Sequence, residues 1–299
     1  MIAIIFGANG QDGQFLRTLL NENNIETVLV SRSGKFVIGD ISNYILVNEL
    51  IKKHKPDFIF HFAANSTTNH SALFENHDSI CKGTNNILES VRLESPHSKV
   101  FISGSAMQFE NNSIPIDEKT PFSATSAYAA ARIYSTYTAR YYRDKFNLKV
   151  YIGYFFNHDS EYRSDNHVNK KIIKDLLLIS ENKGIEKIQI GNPEVKKEFN
   201  FAGDIVNAVW QFISQDKFYE VVIGSGIAYS IYEWIQIVAE EINVDLINIK
   251  IDVNKTFKSE YDILISNPKL IKEIGWEPKL NIRDLAKRMI LKEKLCQKK

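Results

Sequence analysis

The sequence predicts an α/β fold with a doubly wound parallel sheet, followed by a smaller C-terminal α/β unit. Three observations predict it: apolar runs alternate with helix-like segments from residue 1 to about 156, a glycine-rich turn follows the first run, and the strict alternation stops afterwards. The length of 299 residues allows one large unit or two domains. We therefore expect a first domain at 1–156 and a second at 157–299, some of whose segments return to the first.

The first strand leads straight into the glycine-rich turn. Ile2 to Phe6 are all apolar, which is typical of a central parallel strand buried on both faces. Gly7 permits a tight turn, Gly10 allows the backbone to approach a pyrophosphate, and Gly13 lets the following helix, expected at 14–21, pack closely. This order predicts a Rossmann-type dinucleotide site with helix amides facing the phosphates. The residues between the glycines belong to the same predicted contact: Asn9, Gln11 and Asp12.

The second strand, Thr27 to Ser31, bears on the choice of cofactor. Enzymes that prefer NAD commonly carry an acid at the end of this strand, where it bonds the ribose hydroxyls. Here Arg32 and Ser33 follow instead, and both could hold a 2′-phosphate. The sequence therefore favours NADP(H), with NAD(H) left open. Asp40 is expected to accept a hydrogen bond from the adenine amino group, beside Ile41.

Two further strands deliver candidate residues at their carboxyl ends. One apolar strand ends in Ala63 and Ala64, whose small side chains permit close contact with a cofactor. The next, Val100 to Ile102, leads to Ser103 and Ser105, at the edge where ligands bind in open parallel sheets. The helices before these strands are expected at Ser42 to Lys53 and Asn76 to Glu94.

A tyrosine and an arginine lie four residues apart at the start of the next helix. If Ser126 to Lys145 form that helix, Tyr128 and Arg132 share one face. A fixed cation beside a phenol favours the phenolate, which suits proton transfer to or from a hydroxyl group. Ser105 could hold the same substrate oxygen. The spacing alone also fits an amphipathic helix that merely buries a tyrosine, but the glycine motif favours the catalytic interpretation.

The second half is less regular and suggests a smaller cap over a substrate. A strand is expected from Leu148 to Phe156, and Asp204 is expected to cap a helix that ends at Ile213. The other elements are expected at Asn169 to Glu181 (helix), Tyr219 to Ile223 (strand), Ile231 to Ile242 (helix) and Ile282 to Leu295 (helix).

Composition argues against several classes of function. Lys and Arg number 37 against 36 Asp and Glu, so the net charge of +1 gives no reason to expect a nucleic-acid or membrane partner. No apolar run approaches the roughly 18 residues that span a bilayer. The two cysteines, Cys81 and Cys296, lack the spacing of a metal site, so we expect no metal and a reducing, cytoplasmic location.

Four segments together resemble the extended short-chain dehydrogenase/reductases and, within them, the GDP-mannose 4,6-dehydratases. The resemblance spans nearly the whole chain, and its most specific parts are the Gln-Asp of the glycine motif and the Asn157-His158 pair. The segments are GANGQDG at Gly7 to Gly13, PFSATSAYAAARIY at Pro121 to Tyr134, FNHDSEYRSDNHVNKKI at Phe156 to Ile172 and GNPEVKKEFNFAGDIVNAVW at Gly191 to Trp210.

The resemblance implies hydride chemistry at carbon 4 of a nucleotide sugar. Tyr128 would take the proton from the 4-hydroxyl group while the nicotinamide accepts the hydride, and Ser105 would lie beside the keto oxygen. In the dehydratases, water then leaves from carbons 5 and 6 and the hydride returns at carbon 6. The substrate contacts that the resemblance implies are Asn157, Arg163 at the nucleotide end, Val168, Lys171 and, at the diphosphate, Lys197.

Three positions depart from the family pattern. The usual Lys is Arg132, which keeps the charge but changes reach and geometry. The dehydratase acid, which removes the proton from carbon 5, is replaced by Met107, a side chain that cannot do acid–base work. A helix position that often carries Asn is Ile80. Oxidation or reduction at carbon 4 therefore stays expected, whereas elimination of water loses its usual base.

We therefore expect an NAD(P)-dependent 4-keto reductase or dehydrogenase that acts on a nucleotide sugar, with a GDP-linked sugar favoured. Three alternatives stay open: a true 4,6-dehydratase with another base such as Glu110, a 4-epimerase, and a non-catalytic nucleotide-sugar-binding homologue. The resemblance also implies a homodimer or homotetramer formed through the helices at 76–94 and 126–145. Three tyrosines of the second helix could equally belong to the core: Tyr134, Tyr137 and Tyr141.

Overall fold

The computed structural model describes residues 1–165, 167–181, 187–254 and 259–297. Its strands, in chain order, are β1 (Ile2–Phe6), β2 (Glu26–Ser31), β3 (Val37–Ile38), β4 (Phe58–His61), β5 (Lys99–Ser105), β6 (Lys149–Phe155), β7 (His158–Asp159), β8 (Lys187–Ile190), β9 (Lys196–Glu198), β10 (Asn200–Phe201), β11 (Glu220–Ile223), β12 (Ala228–Ser230), β13 (Lys250–Val253) and β14 (Ile263–Leu264). Its α-helices are α1 (Gln11–Glu22), α2 (Tyr44–His54), α3 (Leu73–Asn76), α4 (Gly83–Glu94), α5 (Ala127–Phe146), α6 (Val168–Ser180), α7 (Ala202–Ile213), α8 (Ile231–Glu241), α9 (Lys269–Glu273) and α10 (Ile282–Gln297).

A seven-stranded parallel sheet forms the centre of the fold and confirms the predicted doubly wound arrangement. Its strand order is β3-β2-β1-β4-β5-β6-β11. β1 pairs with β2 on one side and with β4 on the other, so that Ile4 lies opposite both Val28 and Ile59. After β1 the chain therefore forms β2 and β3 on one side of this strand and then crosses to form β4 on the other side. The crevice at the carboxyl ends of β1 and β4 is the switch point where such sheets bind ligands.

The central strand β1 is buried on both faces, as its apolar run predicted. Ala3 and Ile5 pack into the apolar cluster on one side of the sheet, whereas Ile4 and Phe6 pack into the cluster on the other side. This alternation follows from the two-residue period of a strand. It holds the end of β1, and the turn that follows, in a fixed position.

Two predicted helix starts differ from the observed ones. α1 begins at Gln11 instead of residue 14, so that Gln11 and Asp12 lie in its first turn. α7 begins at Ala202, and the prediction that Asp204 caps it is wrong. The Asp204 carboxylate instead accepts hydrogen bonds from the backbone amides of residues 279 and 280, both at 2.8 Å. A distant contact has taken the carboxylate that the local pattern assigned to the helix end.

The single helix predicted from Asn76 to Glu94 is interrupted. A π-helical segment, His77–Lys82, separates α3 from α4. Such segments accommodate a local change of helical pitch and are often found at functional sites. Ile80 and Cys81 of this segment share a small apolar cluster with Tyr128.

The C-terminal elements form a smaller unit with its own core. They comprise the sheets β12-β9-β14, β13-β8 and β10-β7. Ile172 of α6, Trp234 of α8 and Leu285 of α10 are fully buried in one cluster. β11 pairs with β6, so this part of the chain returns to the central sheet.

Among the helices that the structure describes, none is both long and apolar enough to cross a membrane.

Candidate active site

The carboxyl ends of β1, β5 and β6 open into a cavity of about 380 Å³ that collects most of the predicted site residues. We call it the active-site cavity. It brings the glycine turn together with residues from α5 and from the segment after β6, although these are far apart in the sequence. The predicted residues that line it are Gly7, Asn9, Gly10, Gln11, Asp12, Gly13, Ala64, Ser105, Met107, Tyr128, Arg132, Asn157 and Arg163.

The glycine turn fits a dinucleotide phosphate. Gly7 has φ +93°, and a Cβ there would lie 2.7 Å from the backbone N of Ala63. A Cβ on Gly13 would lie 2.6 Å from the Gly7 carbonyl oxygen, whereas a Cβ on Gly10 would meet that oxygen only at 3.3 Å. Gly10 is also the N-cap of α1, and no side chain caps this helix end. The backbone amides there remain suited to an anion.

A second cavity of about 290 Å³ adjoins the first and shares Gly7 and Ala64 with it. We call it the adenosine cavity because it is lined by Asp40 and Ile41, for which the sequence suggests contact with an adenine, together with Ala63. Ser33 does not line it. The Ser33 carbonyl oxygen instead accepts a hydrogen bond from the Asn9 side chain at 2.6 Å, which ties the glycine turn to the β2–β3 loop.

Arg32 lines the adenosine cavity but already has an anionic partner. Its Nη1 lies 2.8 Å from Oε1 of Glu75, and Oε2 of Glu75 accepts a hydrogen bond from Asn65 at 2.8 Å. The hydrogen bonds from Asn65 and Arg32 lower the pKa of the Glu75 carboxyl group. Glu75 could not be found from the sequence, because nothing in the local pattern brings α3 next to the end of β2.

Tyr128 and Arg132 share one face of α5, as predicted. Arg132 Nε donates to the Tyr128 hydroxyl oxygen at 3.1 Å, while Nη1 donates to the Ser103 carbonyl oxygen and, at 3.0 Å, to its Oγ. Arg132 is only 5% exposed, and no carboxylate pairs with it in the described part of the chain. A buried cation without an anion is costly. Its position therefore suits the stabilisation of negative charge on the tyrosine oxygen.

Ser105 is oriented by a capping box after β5. Its Oγ accepts the Met107 backbone N–H at 3.2 Å, and its own N–H donates to the Gln108 side chain at 3.0 Å. Because the hydroxyl oxygen is the acceptor in this contact, its proton remains able to bond a substrate oxygen. The Met107 side chain packs against the apolar cluster around Tyr128. Glu110, the alternative base, is exposed and lines neither this cavity nor the next one.

A larger cavity of about 940 Å³, the substrate cavity, continues outward from the active site. Met107, Asn157 and His167 line both cavities and so mark their junction. The Asn157 side-chain oxygen is buried and has no hydrogen-bond partner among the described residues, which leaves it able to accept a bond from a sugar hydroxyl. The substrate cavity is also lined by three of the predicted substrate contacts: Val168, Lys171 and Lys197.

Arg163 lines the active-site cavity, where it bonds the Asp159 carboxylate and the His158 carbonyl oxygen. Asp159 is buried and also bonds Asn169. Burial alone would raise the pKa of Asp159, but Arg163, His167 and Lys197 hold it well below its usual range. Within the described residues, no group of three or more His, Cys, Asp or Glu side chains is placed to hold a metal ion.

Known proteins share both the fold and the sequence pattern. GDP-mannose 4,6 dehydratase 1 of Arabidopsis thaliana is 27% identical over 321 residues, which cover 97% of this chain and 88% of that protein. RMD from Pseudomonas aeruginosa, complexed with NADPH, has a TM-score of 0.84 at 16% identity and covers 97% of this chain and 96% of its own. dTDP-glucose 4,6-dehydratase from Bacillus anthracis, complexed with NAD, has a TM-score of 0.85 at 18% identity, with coverages of 100% and 98%.

The two solved structures establish a shared fold, and the family assignment rests on sequence. The sequence model of the family described as GDP-mannose 4,6 dehydratase matches residues 4–289, from the first strand to the last helix. This match includes the glycine turn, the Tyr128 segment and the residues around Lys197. The chain therefore belongs to the GDP-mannose 4,6 dehydratase family.

Proposed function

We propose that the protein is a nicotinamide-dependent oxidoreductase that acts at carbon 4 of a nucleotide sugar, with a GDP-linked sugar favoured, and that it does not eliminate water. One observation carries the proposal: Tyr128, Arg132 and Ser105 line a cavity in which the residue at the position of the dehydratase acid is Met107. Family membership supports the substrate class, since the curated relative is a GDP-mannose dehydratase.

Each side chain has a distinct part in the proposed reaction. A bound nicotinamide supplies the centre that accepts or returns the hydride of carbon 4. Tyr128 takes the proton of the 4-hydroxyl group during oxidation and returns it during reduction. Arg132, whose Nε–H donates to the tyrosine oxygen, stabilises the negative charge that this oxygen gains. Ser105 donates a hydrogen bond from its hydroxyl group to the carbonyl oxygen of the keto sugar.

Elimination of water needs a base for the proton on carbon 5, and the thioether of Met107 cannot supply one. Restoring the acid tests this point directly. With GDP-mannose and cofactor, Met107→Glu should form product that has lost one water, whereas the wild type and a Met107→Gln control of similar size should not. If the wild type dehydrates as well as the glutamate variant, the assignment from the missing acid is wrong.

We also propose NADP(H) as the preferred cofactor, with Arg32 as the contact for the 2′-phosphate. Arg32 lines the adenosine cavity, and β2 ends without an acid. Glu75 acts against this preference, because its carboxylate forms an ion pair with Arg32 and would repel a phosphate. Both cofactors occur among the structural relatives, NADPH in one and NAD in another. The balance between Arg32 and Glu75 then decides how strong the preference is.

The proposed assembly is a dimer or tetramer formed through α4 and α5. Tyr134, Tyr137 and Tyr141 are exposed by 47%, 57% and 54%, so the alternative that they belong to the core is wrong. They flank a groove of about 590 Å³ between the two helices, which is also lined by Asn86 and Tyr142. A monomer in light scattering at micromolar concentration would refute the assembly.

The cytoplasmic location expected from the sequence stays a prediction.

A further inference from the structure

We infer that His167, which the sequence pattern did not single out, is a ligand of the substrate's diphosphate beside Lys197 and takes up a proton when the diphosphate binds. The inference rests on the proposed function in one respect, namely that the ligand is a nucleotide sugar. It adds a residue to the binding site and a pH dependence to substrate affinity.

The position of His167 places it at the junction of the two cavities. It is the N-cap residue of α6, a helix of 13 residues whose N-terminal end has no side-chain cap. Its Nδ1 is buried and makes no hydrogen bond within the part of the chain that the structure describes, although it lies 3.6 Å from Oδ1 of Asp159. The side chain as a whole is 29% exposed and lines both cavities. The imidazole therefore lies beside the Asp159 carboxylate without a hydrogen bond to it, and the residue lines the two cavities that a ligand would enter.

Lys197 supplies a second, independent sign of an anion at this place. It is 5% exposed and lines the substrate cavity. Within the described part of the chain its Nζ makes no hydrogen bond or ion pair. The Nζ atom lies 5.3 Å from the centroid of the Phe199 ring. The charge of Asp159 also acts on Lys197, but without a direct ion pair. A buried ammonium without a direct anionic partner is costly unless a ligand compensates it. The amide end of α6 favours an anion in the same region.

The free protein keeps His167 neutral at pH 7. Burial lowers its pKa to about 4, and Arg163 and Lys197 act in the same direction against the opposing charge of Asp159. A diphosphate in the cavity adds two negative charges and so reverses the balance in favour of the imidazolium. Among the described residues, the other charged or titratable groups near this region are His158, whose charge also disfavours the imidazolium, and, along the cavity, Lys171, Asp252, Glu260 and Tyr261.

Proton uptake makes affinity depend on pH in a defined direction. One proton gained on binding strengthens affinity as pH falls, by at most about tenfold per pH unit. Burial also lowers the pKa of Lys197, to about 8, so that lysine gains its proton mainly in alkaline solution. Measurements at pH 6.5 therefore report on His167 and leave Lys197 already charged.

Isothermal titration calorimetry at pH 6.5, in two buffers that differ in ionisation enthalpy and contain no phosphate, measures the uptake. The ligands are GDP-mannose and UDP-glucose, because the phosphates of such diesters do not titrate near neutrality. The protein is the cofactor-loaded full chain carrying Tyr128→Phe, which slows turnover. Added to this parent, His167→Gln removes the titratable ring, His167→Lys supplies a permanent cation, and His54→Gln, at the end of α2, is the control.

We expect the parent and the His54→Gln control to take up a fraction of a proton on binding the nucleotide sugar. Their affinity for it should increase as the pH is lowered from 7.5 to 6.0. His167→Gln should bind more weakly with a flat pH profile, and His167→Lys should bind well without uptake. Uptake that is unchanged in both position-167 variants overturns the inference but leaves the proposed function standing. Failure of the parent to bind either nucleotide sugar overturns the proposed function, and the inference with it.

Discussion

The Asp12 carboxylate and the His158 imidazole meet beside the active-site cavity, with Asp12 Oδ1 3.0 Å from His158 Nε2. Gln11 adds to this link, since its side chain donates to the His158 carbonyl oxygen at 3.2 Å and accepts from Ser160 at 2.8 Å. The first turn of α1 is thereby bonded to the segment that carries Asn157. Hydrogen bonds therefore join the helix that follows the glycine turn directly to the residues at the start of the substrate cavity.

This contact predicts a pH-dependent loss of stability in Asp12→Asn. Burial lowers the pKa of His158, but the charge of Asp12 and its hydrogen bond outweigh burial and raise the pKa overall. The raised pKa means that the stabilisation is complete below the ordinary value of about 6.5 and is lost as pH rises through the folded-state value. The variant should lose about 1–3 kcal/mol at pH 6. Thermal unfolding at pH 6.0 and 8.5 checks this, and an equal loss at both would contradict it.

Tyr128→Phe should abolish most of the chemistry and leave binding intact. Removing the proton-transfer group should slow hydride transfer by about 10²- to 10⁴-fold. Tyr134→Phe is the matched control, because Tyr134 lies on the same helix but is exposed and bonds Asn85. Single-turnover kinetics and nucleotide-sugar titrations measure the two effects. An unchanged rate in Tyr128→Phe would exclude this tyrosine from catalysis. Absence of hydride transfer in both the wild type and the variant, with the nucleotide sugar still bound, would favour a non-catalytic binding protein.

Arg132 should be more sensitive to loss of charge than to exchange for lysine. Arg132→Lys keeps the charge, but one ammonium cannot reproduce the fork that bonds both Tyr128 and Ser103. We expect its hydride transfer to fall by about tenfold, against roughly 10³-fold for Arg132→Met, which also removes the donor to the Ser103 carbonyl oxygen and Oγ. Rates from pre-steady-state absorbance at saturating cofactor decide this. Equal rates in the two variants would show that the charge is not needed.

Glu75 should control the choice between the two cofactors. Glu75→Gln removes the carboxylate paired with Arg32 and should improve binding of NADPH over NADH by about tenfold, because the arginine is released for the 2′-phosphate. Arg32→Ala should shift the preference the other way. Fluorescence titration with both cofactors measures the ratio. A preference for NADPH that survives Arg32→Ala would place the 2′-phosphate contact elsewhere.

Local sequence patterns predicted the parts of the site that local geometry determines. The glycine turn follows a strand and opens a helix, and the four-residue spacing of Tyr128 and Arg132 places both on one face of α5. The parallel order of the strands then placed Ser105 at the same sheet edge. These relations need only the periods of helices and strands and the topology of an alternating chain.

The remaining relations depend on contacts between distant segments. Ser103 meets Arg132 across 29 positions and Asp12 meets His158 across 146, and no periodicity encodes either pairing. The π-helical segment before α4 was also missed, because a helical pattern does not register one such interruption. One feature of the sequence could have pointed to His167: it lies directly before Val168, a predicted substrate contact at the start of α6.

The most direct test of the central claim is mass spectrometry of the sugar nucleotide after two incubations of the purified wild-type protein. In the first, the protein receives GDP-mannose and NADP; in the second, a 4-keto GDP-sugar and NADPH with deuterium at the transferred position. The structure predicts no loss of water in the first reaction and one deuterium on carbon 4 in the second. Loss of one water from GDP-mannose would contradict it and show that a group other than residue 107 removes the carbon 5 proton.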